Sequence, residues 1–287
     1  GKTLTFLQLA REKEWSIFAG DSNRNSIKAA ILPMLKPMNL RDAATSIVEA
    51  AKNNSTQYLG LSKSCAWEDI SYDIRERLSE DSHEGKWRDY WLNYIAWSAG
   101  FSVGKEDAGR KFPDYLREKK SHIIAIIDGL ETQFPELASD KKQQVAVRSL
   151  LQDVPNWLEQ QLLRPLGIII FIRKDMVLNA LPQNSAQFVA VYKNYELNWS
   201  SEEALRLFAW TSMKAKAIDN HRKRDQLIDL SREELVQMLI PLWGRKLGKE
   251  NSSEARSANW VIYALSDFNG QIQARDVIRF LHFASKS

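Results

Sequence analysis

Two short apolar runs constrain this chain more than any other feature: Ile123-Ile124-Ala125-Ile126-Ile127 and Gly167-Ile168-Ile169-Ile170-Phe171-Ile172. Both are rich in β-branched residues and neither alternates with polar ones. A strand with one solvated face alternates, so an unbroken run of this length reads as a strand buried on both faces. Strands of that kind are characteristic of parallel sheets, whose crossover helices cover both sides. From Lys141 to about Leu163, between the two runs, Val145, Val147, Leu150, Leu151, Val154, Trp157 and Leu158 recur at helical spacing, which predicts one long amphipathic helix. Strand, long helix and strand together predict an α/β fold built on a parallel sheet.

The remaining pattern is mostly helical. Leu4, Leu7, Leu9 and Ala10 place a helix over Leu4 to Glu14, and Trp15-Ser16-Ile17-Phe18-Ala19 then reads as a short strand halted by Gly20-Asp21-Ser22. Residues from Ser26 to about Asn53 read as helix interrupted at Pro33 and Pro37, and Asn53-Asn54-Ser55-Thr56 reads as a polar break. About 66–120 is mostly helical, with Trp87, Tyr90, Trp91, Tyr94, Ile95 and Ser98 on one face. That spacing favours core packing over a base-stacking platform. Ser98 to Arg110, with three glycines, is expected to be a loop, and a third strand is expected at Phe188–Tyr192 or Tyr195–Leu197.

Beyond Trp199 the chain reads as all helix. Ser200 with Glu203 and Ser231 with Glu234 fit capping boxes, and a last helix runs from about Ala274. The expected organisation is a core over 1–199, with a helical insert at about 60–120, and a helical lid over 200–287.

Composition bounds the function classes. At 287 residues, 44% hydrophobic and 26% charged, the chain has the makeup of an ordered globular protein. One cysteine, Cys65, excludes an internal disulfide framework and a cysteine-rich zinc site, and reads as structural. No secretory leader and no apolar run near the roughly 20 residues of a bilayer span are found, so a cytoplasmic protein without a membrane anchor is expected. The net charge of +4 leaves nucleic acid open as a partner. Because the chain starts at Gly1 without an initiator methionine, it reads as a fragment or a processed product.

Three charged segments carry the candidate chemistry. Gly1-Lys2-Thr3 runs directly into a helix and matches the last positions of a phosphate-binding loop, in which the lysine reaches the terminal phosphates and the hydroxyl binds Mg²⁺. The run Ile123–Ile127 delivers Asp128 at its tip, where Mg²⁺ coordination needs a carboxylate, with Glu131 on the following turn in place to deprotonate water. Ile168–Ile172 ends at Arg173-Lys174, where a cation can sense a γ-phosphate. The basic run His221-Arg222-Lys223-Arg224 reads as a solvated loop, with a phosphate-backbone contact as its alternative.

These segments resemble STAND and KAP-like (AAA-like) P-loop ATPases. Gly1-Lys2-Thr3 looks like the end of Walker A, residues 123–131 like Walker B and residues 169–173 like a sensor strand. Tyr195 to Phe208 is similar to the strand-to-lid junction of STAND proteins, and Gly270 to Leu281 to a closing lid helix in which Arg275 is a second phosphate sensor. The upstream loop glycines are absent, and Asp-Gly-Leu-Glu replaces the paired acids common in the family. The resemblance implies ATP and Mg²⁺ as cofactors. Gly1, Lys2, Thr3 and Arg275 would hold nucleotide, Thr3 and Asp128 the metal, and Glu131 and Arg173 would act in catalysis. It further implies a homo-oligomeric regulatory switch with an effector protein or domain, as in bacterial antiviral defence. Two alternatives are a ParA-like partition ATPase, suggested by Phe18-Ala19-Gly20-Asp21, and a silent scaffold or nucleic-acid-binding module.

Overall fold

Ile123–Ile127 is the middle strand, β2, of a three-stranded parallel sheet of order β1-β2-β3, with β1 at Ala30–Pro33 and β3 at Leu166–Ile170. The computed structural model describes residues 1–20, 27–37, 40–80, 83–218, 224–249, 251, 253–268 and 270–286. Pairing is in register from Ala30↔Ile123 and from Ile123↔Leu166, so the C-terminal tips of all three strands lie on one edge. The chain forms two compact units, Lys2–Asn194 and Tyr195–Ser287.

In the first unit the strands are joined by helices: α1 (Lys2–Glu12) and α2 (Trp15–Ala19) before β1; α3 (Asp42–Tyr58), α4 (Trp67–Ser79), α5 (Glu84–Ala99) and α6 (Ala108–Glu118) between β1 and β2; α7 (Leu130–Gln133), α8 (Lys141–Leu151) and α9 (Asp153–Glu159) between β2 and β3; and α10 (Lys174–Ala180) and α11 (Ser185–Val191) after β3. The two-residue side-chain period of the strands splits the core in two. Ile31 and Ile126 face α1 and α3, among Phe6, Leu9, Ala10, Val48 and Ala51. Leu32, Ala125 and Ile127 face the other way, into a cluster with Trp87, Trp91 and Tyr94 of α5. The α5 rings meet largely edge to face, Trp91 to Tyr94 at 5.8 Å, and Trp91 Nε1 donates to the Ala146 carbonyl at 2.9 Å. The aromatic face is core.

Close packing also dictates one glycine. Asn93 of α5 accepts from the Gly109 N–H at 2.7 Å and donates to the Glu106 carbonyl at 2.8 Å, drawing α6 onto α5. A Cβ on Gly109 would sit 2.3 Å from the carbonyl carbon of Leu92.

Several local expectations need correction. Residues 30–33 are strand, not helix: Ala29 to Leu35 are all buried, and Pro33 stands at the end of an outer strand, where it removes no ladder donor. Trp15–Ala19 is helix, not strand. Trp15 and Phe18 meet at 5.8 Å one helical turn apart, and Lys13 and Trp15 bond the outer edge of β1 instead. Asn53–Thr56 does not break α3, because Ser55 and Thr56 turn their hydroxyls onto the carbonyls of Ile31 and Lys52. The stretch after Lys141 is two helices divided at Gln152. Pro155, in the first turn of α9, lacks the N–H that a continuous helix would need. Neither third-strand candidate is a strand. Phe188 and Tyr192 pack at 4.6 Å with helical spacing, and Tyr195 closes a 3₁₀ turn. The expected loop is shorter than 98–110, since α5 runs to Ala99 and α6 starts at Ala108.

The second unit is helical, with α12 (Ser201–Lys214), α13 (Arg232–Trp243), α14 (Ser257–Leu265) and α15 (Ala274–Ala284) around Leu205, Phe208, Leu235, Leu239, Val261 and Val277. Both capping boxes are formed, Ser200 with Glu203 and Ser231 with Glu234. No helix among the described residues is long and apolar enough to cross a membrane.

Candidate functional site

The candidate residues gather where the tip of β2 meets the N-terminus of α1. Asp128 follows β2 directly and is 1% exposed. Its Oδ1 accepts from the Gly129 N–H at 2.9 Å. Thr3 lies close enough for its hydroxyl to favour the charged form, yet Oδ2 has no partner in hydrogen-bonding geometry. Burial pushes the Asp128 pKa up. The Gly129 N–H, the Lys2 charge and Thr3 oppose that shift, and Glu131 adds to it. A buried carboxylate oxygen without a donor is unfavourable unless something outside the chain satisfies it.

The turn that follows aims Glu131. Gly129 has φ +89°, a left-handed conformation, and a Cβ there would approach the Lys36 carbonyl oxygen to 2.7 Å. Only glycine meets both demands. The chain therefore turns at once into α7, and Glu131 in its first turn reaches Lys2, with Nζ to Oε1 at 3.3 Å. On the other side, α1 is held by Phe6, which is fully buried and contacts Phe171 edge to face at 6.1 Å just past β3. The first turn of α1 holds no acidic residue of its own, and the carboxylates of Asp128 and Glu131 stand beside it instead.

Lys2, Thr3, Asp128 and Glu131 are thus brought together. Gly1 lies exposed ahead of the first turn. Arg173 ends on the same edge of the sheet, but its guanidinium forms a two-pronged pair with Asp175, at 3.0 and 2.8 Å, rather than joining the four. Arg275 belongs to the second unit, where it donates to Gln273 at 2.9 Å and lies 3.7 Å from Asp276. Residues 221–223 of the basic run, and Asp21 of the partition-type resemblance, fall outside the described residues. The strand expected before Asp21 in that resemblance is α2.

Sequence reading missed the tip of β1. Lys36 packs its backbone against Gly129, while its ammonium pairs with Glu68 at 3.6 Å and lies 4.7 Å from the centre of the Trp67 ring. Lys52 lies 4.5 Å from the same ring, is 4% exposed and donates to the Cys65 carbonyl. Burial is the largest cause of its pKa falling to about 8. No local signal pointed here, because Lys36 reaches this place only through the pairing of β1 with β2.

Among the described residues no group of three or more His, Cys, Asp or Glu side chains could hold a metal ion. Magnesium needs no such cage, because it is commonly bound by one or two carboxylates together with water and substrate phosphates. The partnerless Oδ2 of Asp128 beside a threonine hydroxyl fits that mode. Comparison with family models, with curated proteins and with solved structures finds no match to this chain.

Proposed function

We propose that the chain is the nucleotide-handling part of a P-loop ATPase of the STAND/KAP-like kind, in which Mg²⁺-dependent ATP binding and hydrolysis drive a regulatory or assembly switch. One observation carries this reading: a lysine and a threonine opening a helix converge with a buried, half-satisfied aspartate and a glutamate at the tip of a parallel strand.

The roles follow from position. Lys2 and the first-turn N–H groups of α1 hold the β- and γ-phosphates, and Thr3 and Asp128 hold magnesium. Magnesium, when bound, offsets negative charge on the phosphate oxygens. Glu131 takes the proton of the attacking water. Arg173 must leave Asp175 to reach a γ-phosphate, and both side chains of that pair are more than half exposed, so the exchange is cheap. The family resemblance gives Arg275, on α15 of the second unit, the role of a second phosphate sensor. Homo-oligomerisation, an effector protein, a cytoplasmic setting and a defence role belong to the same proposal through the family resemblance. The nucleic-acid alternative is disfavoured as far as it rested on stacking, because Trp87, Trp91 and Tyr94 are buried.

Lys2→Ala in the full-length protein is expected to abolish ATP turnover, measured as phosphate release. Turnover equal to that of the unmodified protein removes the assignment.

A further inference from the structure

The ammonium that this reading assigns to phosphate already has a partner. Lys2 Nζ lies 3.3 Å from Glu131 Oε1, with the two side chains 25% and 39% exposed. Glu131 stands in the first turn of α7, behind a glycine whose left-handed turn runs too close to the Lys36 backbone to carry a side chain. The turn therefore places the Glu131 backbone within reach of Lys2, and the two side chains close the remaining distance. An anion arriving at the N-terminus of α1 needs the same Lys2 donors, so the two compete.

We infer that Glu131 is a latch on the phosphate site: it holds Lys2 until a phosphate displaces it, and that displacement sets the carboxylate free to face water. Ligand arrival and release of the carboxylate become one event. Before an anion binds, Glu131 is occupied by Lys2. The inference rests on the phosphate-site reading. A pair this exposed is weak, so the latch lowers phosphate affinity only about two- to fivefold.

The test is calorimetric titration of the full-length protein with inorganic pyrophosphate in the absence of magnesium, which excludes hydrolysis from the readout. Glu131→Gln removes the charge. Glu131→Asp keeps the charge but is one methylene too short to span the 3.3 Å contact. Both are expected to tighten binding about two- to fivefold. Glu136→Gln, which removes an exposed carboxylate five residues further along the chain, is expected to leave binding unchanged. Tightening by Glu131→Gln without tightening by Glu131→Asp shows a plain charge effect and overturns the latch, as does no change in either. If the unmodified protein binds pyrophosphate, those outcomes leave the phosphate site standing; if neither it nor any variant binds, the site and the latch fall together.

Discussion

Asp128 is expected to make the folded protein less stable than it could be, and replacing it by asparagine tests that directly. The side chain is 1% exposed, and Oδ2 has no hydrogen-bond partner. Leaving a buried acceptor unsatisfied costs roughly 1–3 kcal/mol, and a charge raises that figure. Asparagine keeps the oxygen that accepts from the Gly129 N–H and replaces the orphan oxygen with an uncharged amide, which can donate toward the Thr3 hydroxyl. Asp128→Asn is therefore expected to stabilise the protein at neutral pH by about 1–2 kcal/mol, a rise in Tm of about 2–8 °C for a unit of this size. The pH dependence has a fixed sign. Burial raises the folded pKa of Asp128 above the unfolded value, so the folded state binds the proton more tightly. The penalty is complete above the folded pKa and fades as pH falls through it toward the unfolded value. Urea denaturation of both proteins from neutral to acid pH should show a gap that closes on acidification. A loss of more than about 1 kcal/mol at neutral pH, or a gap that does not change with pH, would refute the reasoning, because either result means the carboxylate is satisfied within the fold.

Two other substitutions probe the supporting structure. Lys52 has its folded pKa lowered to about 8, chiefly by burial, so between there and its ordinary value of 10.5 the unfolded chain binds more protons and stability rises with pH. Comparing wild type with Lys52→Met by urea titration, the wild type should gain about 2 kcal/mol on the variant between about pH 7.5 and about pH 9.5; a constant difference contradicts the burial of its charge. Gly109→Ala would improve an exposed helix by about 1 kcal/mol, but here the new methyl meets the α5 backbone. A net loss of about 2–3 kcal/mol in thermal unfolding is expected, and a gain contradicts the close approach of α5 and α6.

The parts of the fold legible in the sequence were those encoded locally. Both β2 and β3 announce themselves as strands because short runs rich in isoleucine without alternation suit a parallel sheet, but only β2 is buried on both faces; β3 is an outer strand whose Gly167–Ile170 are half-buried. The capping boxes are equally local, since Ser200 and Glu203 satisfy each other's backbone donors without tertiary help. The strand β1 was not legible. It has four residues and ends in proline, and its identity as strand depends on β2 supplying a partner 93 residues later, as in Ala30↔Ile123. Residues 53–56 misled for a related reason. Polar composition signals a break only when the hydroxyls face water, and those of Ser55 and Thr56 bond to backbone instead. At the site, Lys2, Thr3, Asp128 and Glu131 were nominated by residue type and position, and the structure gathers them. Lys36 was invisible because the strand that delivers it was read as helix. The partner of Arg173 lay two residues ahead in the sequence, but the choice between Asp175 and the site depends on side-chain conformation, which spacing does not determine.

The most direct test of the account is calorimetric titration of ATP into the full-length protein, with and without magnesium, beside Lys2→Ala. The account predicts saturable binding that magnesium tightens and that the substitution removes. Affinity that ignores magnesium and survives loss of the Lys2 ammonium would mean that the Lys2–Thr3–Asp128–Glu131 cluster is not where a nucleotide's phosphates are held.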